Sequence, residues 1–437
     1  MASTTSEVIY SYITGEDPEA RACDDIPDEA CSEVPTSFAL NVLNGTCTKL
    51  AEQLASPGLV LPWLLASLGA PVALSGWLVP VRQAGSLVPQ LVVADALRGF
   101  PRRKWFWVAA GVFQATMLLL MAVAAATLPP AAAGAAIVVL LALFSVASGV
   151  GSVAFSDVVG KTVPRGRRGR MLALRASLGG GLALIAGLVM RAYLGGDVSL
   201  APLLLLLVAA AGLWIAGAGF FALIPEPAGV TGGRSNGLRA ALRQMTLLVR
   251  EAALRRFVIA RLLLLSVELT MPYLTLYARS RPGVDAQDLG TFVIAVSIAA
   301  VVSSPLWGRF SDLASNRVMA AGAVIGAVAV TVAVALDRAP VDLRSAELYA
   351  VVFVILGLAE GGVRLGRKTY LVDMAPAGEK GTYKALTNTV VGVVMLVAGG
   401  LGAVAQAVGV ELFLGGLGAM MLAGAILSWR LPPPAEG

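Results

Sequence analysis

Along the chain, apolar runs of roughly 20 residues recur from residue 38 to 430, each long enough to cross ~30 Å of hydrocarbon at ~1.5 Å per helical residue. Short stretches of Pro, Gly or charge separate them, as in Leu128-Pro129-Pro130 and Arg281-Pro282-Gly283. The pattern predicts spans near 38–66, 73–94, 105–127, 132–155, 171–193, 200–224, 257–278, 288–308, 317–336, 348–369, 385–408 and 411–429. The fold class that follows is an all-α polytopic membrane protein of twelve transmembrane helices.

Composition agrees. Of 437 residues, 57% are hydrophobic and 14% charged, and the mean hydropathy is +0.80. A soluble domain carries about 25% charged residues, so this inventory cannot build a water-facing surface. Secreted enzymes, soluble dinucleotide-binding enzymes and nucleic-acid binders are set aside. There is no histidine, which removes imidazole metal sites and Ser-His triads. Cys23, Cys31 and Cys47 form no C-x-x-C pair, so neither a thiolate metal cluster nor a disulfide framework is expected. We expect no cofactor and no metal, and with no nucleophile–base pair recognisable, no enzyme.

Lys and Arg gather on the side shared by both termini, in clusters such as Arg102-Arg103-Lys104 and Arg165-Gly166-Arg167-Arg168. The opposite loops hold only Arg191, Arg279, Arg281, Arg338 and Arg344. The positive-inside rule then places both termini in the cytoplasm and the chain in a cytoplasmic, or inner, membrane. Residues 1–36 carry nine acidic residues against Arg21. They read as an acidic cytoplasmic tail, either merely solvated or touching the basic loops of the same face. Cys23 and Cys31 in that tail would be free thiols in a reducing compartment.

Internal repetition divides the rest. A shift of 212 residues maps Ala147, Gly149, Pro164 and Gly169 onto Ala359, Gly361, Pro376 and Gly381. Glu52 is followed by Pro57, and Glu268 by Pro272. Two pseudo-symmetric six-helix bundles, 37–224 and 257–430, are expected on either side of a basic linker at 225–256. Within that linker Leu238 to Arg256 looks amphipathic, and residues 431–437 form a short tail.

A resemblance enters here. Gly308-Arg309-Phe310-Ser311-Asp312, continuing to Arg317, is similar to the G-x-x-x-D-x-x-x-x-R core found in loops of major facilitator superfamily (MFS) transporters. The equivalent first-half loop, Asp95 to Lys104, keeps an Asp and the basic cluster but lacks the opening glycine. Ser56-Pro57-Gly58-Leu59-Val60-Leu61-Pro62 and Val88-Pro89-Gln90-Leu91 also resemble bacterial permeases of that superfamily. The resemblance implies the MFS fold, with spans one, four, seven and ten lining a central cavity. It also implies a conformational gate at Asp95, Arg102, Arg103, Gly308, Asp312 and Arg317, which Asp157 and Lys161 could join. Span five has Gly179-Gly180-Gly181 and not the G-P-x-x-G-G of proton-linked drug exporters, which weakens that reading.

Ionisable side chains at mid-membrane cost at least ~2.5–3.5 kcal/mol each and so face a cavity or a partner. Here they fall in spans one (Lys49, Glu52), two (Arg82), seven (Arg261, Glu268) and ten (Glu360, Arg364). Asn41, Asn44, Thr48 and Glu52 share one face of span one, and Ser145, Ser148, Ser152 and Ser156 one face of span four. Either stripe lines a substrate path or packs helix on helix. The substrate-cavity candidates are therefore Asn41, Asn44, Thr48, Lys49, Arg82, Arg261, Arg364, Ser148 and Ser152. Glu52 and Arg82 should meet at similar depth, either as a fixed ion pair or as a carboxylate whose proton affinity responds to its partner. Without histidine a proton carrier must be a carboxylate or a shifted Lys, which leaves Glu52, Glu268 and Glu360 as coupling candidates.

The function expected is secondary active transport of a small anionic or zwitterionic organic solute, proton-coupled, by alternating access, from a monomer in the lipid bilayer. No Walker motif supplies ATP binding. The rival is a non-transporting assembly or carrier factor that binds a lipid, a pigment or a partner protein on the same scaffold.

Overall fold

A computed structural model describes residues 7, 10, 11, 26–97, 99–193, 200–229, 231, 248, 250–340, 345–376 and 380–432. Among these residues the chain is helical throughout, with no strand. After a short turn at Asp28–Cys31 come α1 (Val34–Leu54), α2 (Val60–Ser67), α3 (Val72–Leu87), α4 (Gln90–Leu97), α5 (Lys104–Thr127), α6 (Pro130–Thr162), α7 (Arg165–Tyr193) and α8 (Leu200–Ala222). The second half contains α9 (Ala252–Arg279), α10 (Asp288–Arg338), α11 (Ala346–Met374), α12 (Lys380–Ala398), α13 (Leu401–Val408) and α14 (Val410–Trp429). Among the described residues ten stretches are long and apolar enough to cross a membrane. Large apolar side chains such as Leu205 and Val139 stand exposed on their outer faces, as a lipid-facing surface requires.

The first two expected spans are each broken. Proline has no N–H and disfavours helix in the residue before it, so α1 stops before Ser56-Pro57-Gly58 and α2 starts anew at Val60. Span two splits at Val88-Pro89, where Val88 keeps helical angles but Pro89 has no N–H to carry the ladder on. The loop expected between spans eight and nine is instead helical: α10 runs through Gly308, and its single non-helical residue is Ala314 (φ −158°, ψ 77°). At the linker, residues 232–247 lie outside the described residues, and Ala252 to Arg256 form the first turn of α9, where Leu254 is buried.

Within the first half α1 packs on α7 and α8, α5 on α6 and α8, and α3 on α6. In the second, α9 packs on α14, and α10 on α11 and α14. Glycines permit the closest approaches. A Cβ on Gly149 would sit 2.9 Å from the Ser86 carbonyl oxygen, and one on Gly361 would strike the Ser303 side chain. The residues matched by the 212-residue shift thus do the same job, letting α6 close on α3 and α11 on α10. Between halves, α3 meets α9, α12 and α13, while α7 meets α10.

The N-terminal segment differs from expectation in chemistry. Tyr10, Ile26 and Ala30 pack with Val34, Phe38, Val159, Val163 and Met171 in a small apolar cluster at the basic end of the first half. Cys31 is disulfide-bonded, which corrects the free thiol expected there; Cys23 lies outside the described residues, and Cys47 is free.

Candidate functional site: a charged cavity between the halves

A cavity of about 670 Å³ lies between the two halves. Lys49, Glu52, Arg82, Ser148 and Ser152 line it from the first half; Glu268, Met271, Glu360, Arg364 and Lys368 line it from the second. Seven ionisable side chains thus border one cavity inside an otherwise apolar body, and charges buried at this depth need partners.

Three carboxylates organise the pairing. Glu52 accepts from Lys49 Nζ at 2.7 Å, one turn away on α1, and from Arg82 at 3.3 Å across from α3. The Arg82 guanidinium also lies 5.5 Å from the centre of the Phe144 ring. The fixed pair and the responsive carboxylate both predict this contact, and the geometry adds that Glu52 divides itself between two cations. Glu360 meets Arg364 at 3.5 Å, one turn on along α11. Glu268 is the most enclosed: its side chain is 8% exposed and pairs with Arg367 at 3.1 Å. Its other oxygen is buried with no hydrogen-bond partner among the described residues.

Several expected cavity residues lie elsewhere. Asn41, Asn44 and Thr48 are buried against neighbouring helices. The Asn44 amide donates to the Gly217 carbonyl at 2.9 Å and its oxygen accepts from Arg175 at 3.3 Å, while Asn41 and Thr48 donate to backbone carbonyls of their own helix. Their stripe faces α7 and α8, and the part of α1 that reaches the cavity is Lys49, Glu52 and Gln53. Arg261 is also buried, donating to Asn388 at 2.9 Å. Ser148 and Ser152 line the cavity; Ser145 donates to Leu141 and packs against Gly85 instead.

Arg175, Arg367 and Lys368 escaped the sequence reading, which counted them among topology-setting charges. A signal existed for Arg367, which follows Glu360 and Arg364 at steps of four and three on one helix face. Arg175 had none, because its support comes from elsewhere: Gly45 leaves room for its side chain, which stacks 4.3 Å from the Phe155 ring centre.

At the basic end a second cluster fastens the first half. Asp157 holds Arg103 and, at 2.6 Å, Lys161. Glu226, whose side chain is fully buried, accepts from Lys161 at 3.0 Å and from the backbone N–H groups of Arg103 and Lys104 at 2.9 and 2.8 Å. Those amides open α5, where a carboxylate is favoured. Glu226 escaped the sequence reading because it sits in a Pro-flanked linker. Arg102 is exposed, Arg317 stacks 5.3 Å from the Trp429 ring centre, and Gly308 lies in open space. The side chains of Asp95 and Asp312 lie outside the described residues.

Contacts joining the halves gather at the opposite end. Thr275 donates to the Gly58 carbonyl at 2.9 Å, Arg279 to Ser67 at 3.1 Å, and the Ala73 amide to Gln406 at 3.1 Å. Trp63 meets Phe292 edge-on at 6.0 Å, and Arg191 reaches Thr291 at 3.3 Å.

A helical membrane body in two halves around a charged cavity defines a multi-pass membrane protein of transporter architecture. Residues 257–437 match the family model described as Major Facilitator Superfamily. Solved structures with the same fold include the nucleoside transporter NupG (TM-score 0.71, 13% identity, 90% of this chain and 100% of that one). The xylose transporter XylE from E. coli, in an inward-open conformation, gives 0.64 at 13% identity over 92% and 96% of the two chains. A POT family transporter in complex with 5-aminolevulinic acid gives 0.65 at 14% identity over 89% and 95%. Comparison with curated protein sequences finds no match. The second half of the chain thus resembles the Major Facilitator Superfamily in sequence, and the chain as a whole shares the fold of these solved transporters.

Proposed function

We propose that this protein is a secondary active transporter of a small organic solute, anionic or zwitterionic, that works by alternating access and is coupled to protons. The observation that carries the reading is the cavity itself. Lys49, Arg82, Arg364 and Lys368 stand with Glu52, Glu268 and Glu360 at the meeting of the two halves. A solute with a carboxylate would displace one of the cations' partners, and one with an amine as well would satisfy both signs. The POT family transporter similar to this chain was solved with 5-aminolevulinic acid, a molecule of that charge type.

Contacts joining the halves gather away from the basic loops, which supports a state open toward the basic end. Under the positive-inside rule that end faces the cytoplasm, in an inner membrane. Opening the other end requires breaking Thr275–Gly58 and Arg279–Ser67. Glu360 is the first candidate for the proton carrier, because its ion pair is the longest of the carboxylate pairs in the cavity, 3.5 Å. The charged cavity favours transport over a carrier or assembly role, which has no need to pair seven ionisable groups at mid-membrane.

The test uses purified protein in liposomes holding a pH-sensitive dye, with panels of amino acids, short peptides and organic acids added outside. Wild type should give a substrate-dependent pH change that Glu360→Gln abolishes while Glu52→Gln and Glu268→Gln alter affinity or folding yield. Solute uptake with no proton movement in folded wild type would sink the coupling and leave uniport. No uptake of any compound would move the weight to the non-transporting role.

A further inference from the structure

Of the four cations that line the central cavity, three are already engaged. Lys49 and Arg82 share Glu52, and Arg364 is held by Glu360, while the third lining carboxylate, Glu268, is taken by Arg367. Lys368 is left over. It is exposed, and it makes no ion pair or hydrogen bond among the described residues. The charges that act on it are Arg364 and Arg367 on its own helix, Lys384 on α12 and Lys49 on α1, and all four are positive. Lys49 is the informative one, because it belongs to the other half. α1 runs inward from the basic end and α11 runs outward to it, so Lys49 and Lys368 each lie on the basic-end side of the cavity glutamate on their own helix, Glu52 and Glu360. The Lys49 side chain is itself 52% exposed. Two ammonium groups, one from each half, thus border the same space near its open end and repel one another.

Like charges on opposite sides of a cleft have two consequences. With nothing between them they oppose its closure, which agrees with contacts between the halves that gather at the other end. An anion between them reverses the sign, because both ammonium groups then attract the same guest. The lining counts four cations against three carboxylates, so one negative charge brings it to neutrality. A zwitterion does not, since its own ammonium adds the charge already in surplus. Gln53, Gln83, Gln90 and Ser86 put neutral hydrogen-bonding groups around the same space, and Phe144, the one aromatic ring among the described lining residues, lies under Arg82. Resting on the transport reading of this cavity, we infer that Lys49 and Lys368 form an anion receptor divided between the halves, which takes a small hydroxylated monocarboxylate in preference to a zwitterion and is drawn closed by it at the basic end. The carboxylate seats on Lys368 without displacing a partner and takes Lys49 from Glu52, which Arg82 continues to hold.

The test places nitroxide labels on Gly166 and Pro376, exposed at the basic end in the first and second halves. Double electron–electron resonance on the full chain in nanodiscs, in a Cys47→Ser background, then reports closure of that end. The first arm needs no ligand. Lys368→Gln should raise the ratio of short to long distances about threefold, and Lys368→Arg should keep the wild-type distribution. Arg430→Gln, which removes an exposed charge outside the cavity, should leave the distribution unchanged. The second arm sets lactate and glycerate against alanine and serine, which carry an ammonium in place of one hydroxyl on the same skeleton. The hydroxy acids should shorten the wild-type distance at concentrations at least tenfold lower than the amino acids, or about 1.4 kcal/mol, and Lys368→Gln should erase that preference. An unchanged distribution in Lys368→Gln overturns the divided receptor. So does a response to the amino acids as strong as that to the hydroxy acids, or a response to neither. Solute uptake in the dye-loaded liposomes beside such a failure leaves transport standing and strikes only the receptor; success in both arms with no uptake of any compound does the reverse.

Discussion

One of the tightest backbone contacts between the halves is where α3 meets α13, and it offers a direct way to disturb the balance between conformations. A Cβ on Gly402 would lie 2.4 Å from the Ala73 carbonyl oxygen and 3.0 Å from the Gly76 Cα. Ordinary carbon contacts sit at about 3.5–4.0 Å, so Gly402→Ala demands a retreat of about 1 Å. The obstructing atoms are backbone on a buried helix, and no rotamer change relieves them. Overpacking of this kind costs about 1–3 kcal/mol. Alanine also stabilises α13 by about 1 kcal/mol over glycine, but that gain applies in any conformation that keeps the helix and cancels from the ratio. The state closed at this end should therefore lose about five- to 150-fold in population against the one open there. Spin labels on Pro71 and Ala407, both exposed at that end, in a Cys47→Ser background would report it by double electron–electron resonance as growth of the longer distance. Gly416→Ala meets nothing within 4 Å and serves as the control. An unchanged distance distribution in Gly402→Ala would refute the claim that this contact holds the end shut.

Two further outcomes are expected. Glu226→Gln removes the charge from a fully buried carboxylate that accepts from Lys161 and from two backbone amides at the start of α5. Stripping a buried charge cluster of one member costs about 2–4 kcal/mol, so thermal unfolding in detergent should begin several degrees lower, and an unchanged midpoint would show the cluster to be ornamental. Arg367→Gln strands Glu268 in a site where its side chain is 8% exposed. In a double-mutant cycle the pair should show a coupling of about 1–3 kcal/mol, with Glu268→Gln partly restoring the stability that Arg367→Gln loses; additive effects would mean the two do not act together.

Much of the architecture was legible because a bilayer demands long apolar helices and leaves each one a visible signature. The breaks in spans one and two went unread as breaks although Pro57 and Pro89 stand in plain view. Proline inside a helix is not decisive: Pro80, Pro272 and Pro305 sit within continuous helices here. Spacing identified which residues share a face, and it did so correctly for Asn41, Asn44 and Thr48. It could not say what that face meets, because helix rotation in a bundle is set by packing against neighbours. In this bundle the face meets Gly217 and Arg175. The partner of Glu268 was hidden for the same reason. Its cation comes from α11, about a hundred residues on, and no pattern local to span seven announces it.

The two glutamates matched by the repeat have diverged in a way that bears on their roles. Glu52 and Glu268 stand at similar positions before Pro57 and Pro272, yet the cations that hold them come from different places. Glu52 is one-third exposed and shared by Lys49 on its own helix and Arg82 on the adjacent span, and Lys49 is itself half exposed to the cavity. An incoming carboxylate can take Lys49 from Glu52 while Arg82 stays in place, so this cluster can exchange one partner without stranding a charge. Glu268 has no such freedom. Its contact with Arg367 is enclosed, and losing it leaves an 8%-exposed carboxylate with no direct ion pair, since the nearby Arg261 is itself bound to Asn388. The exchangeable side of the cavity is therefore the first half, where solute recognition through Lys49 and Arg82 is expected. The Glu268–Arg367 pair serves better as a fixed strut between α9 and α11. Glu360, loosely held at 3.5 Å and open to the same cavity, stands between these extremes. It can change partners with less loss than Glu268, and Arg364 is its one direct ion-pair partner among the described residues where Glu52 has two, which is the behaviour a proton-carrying carboxylate needs.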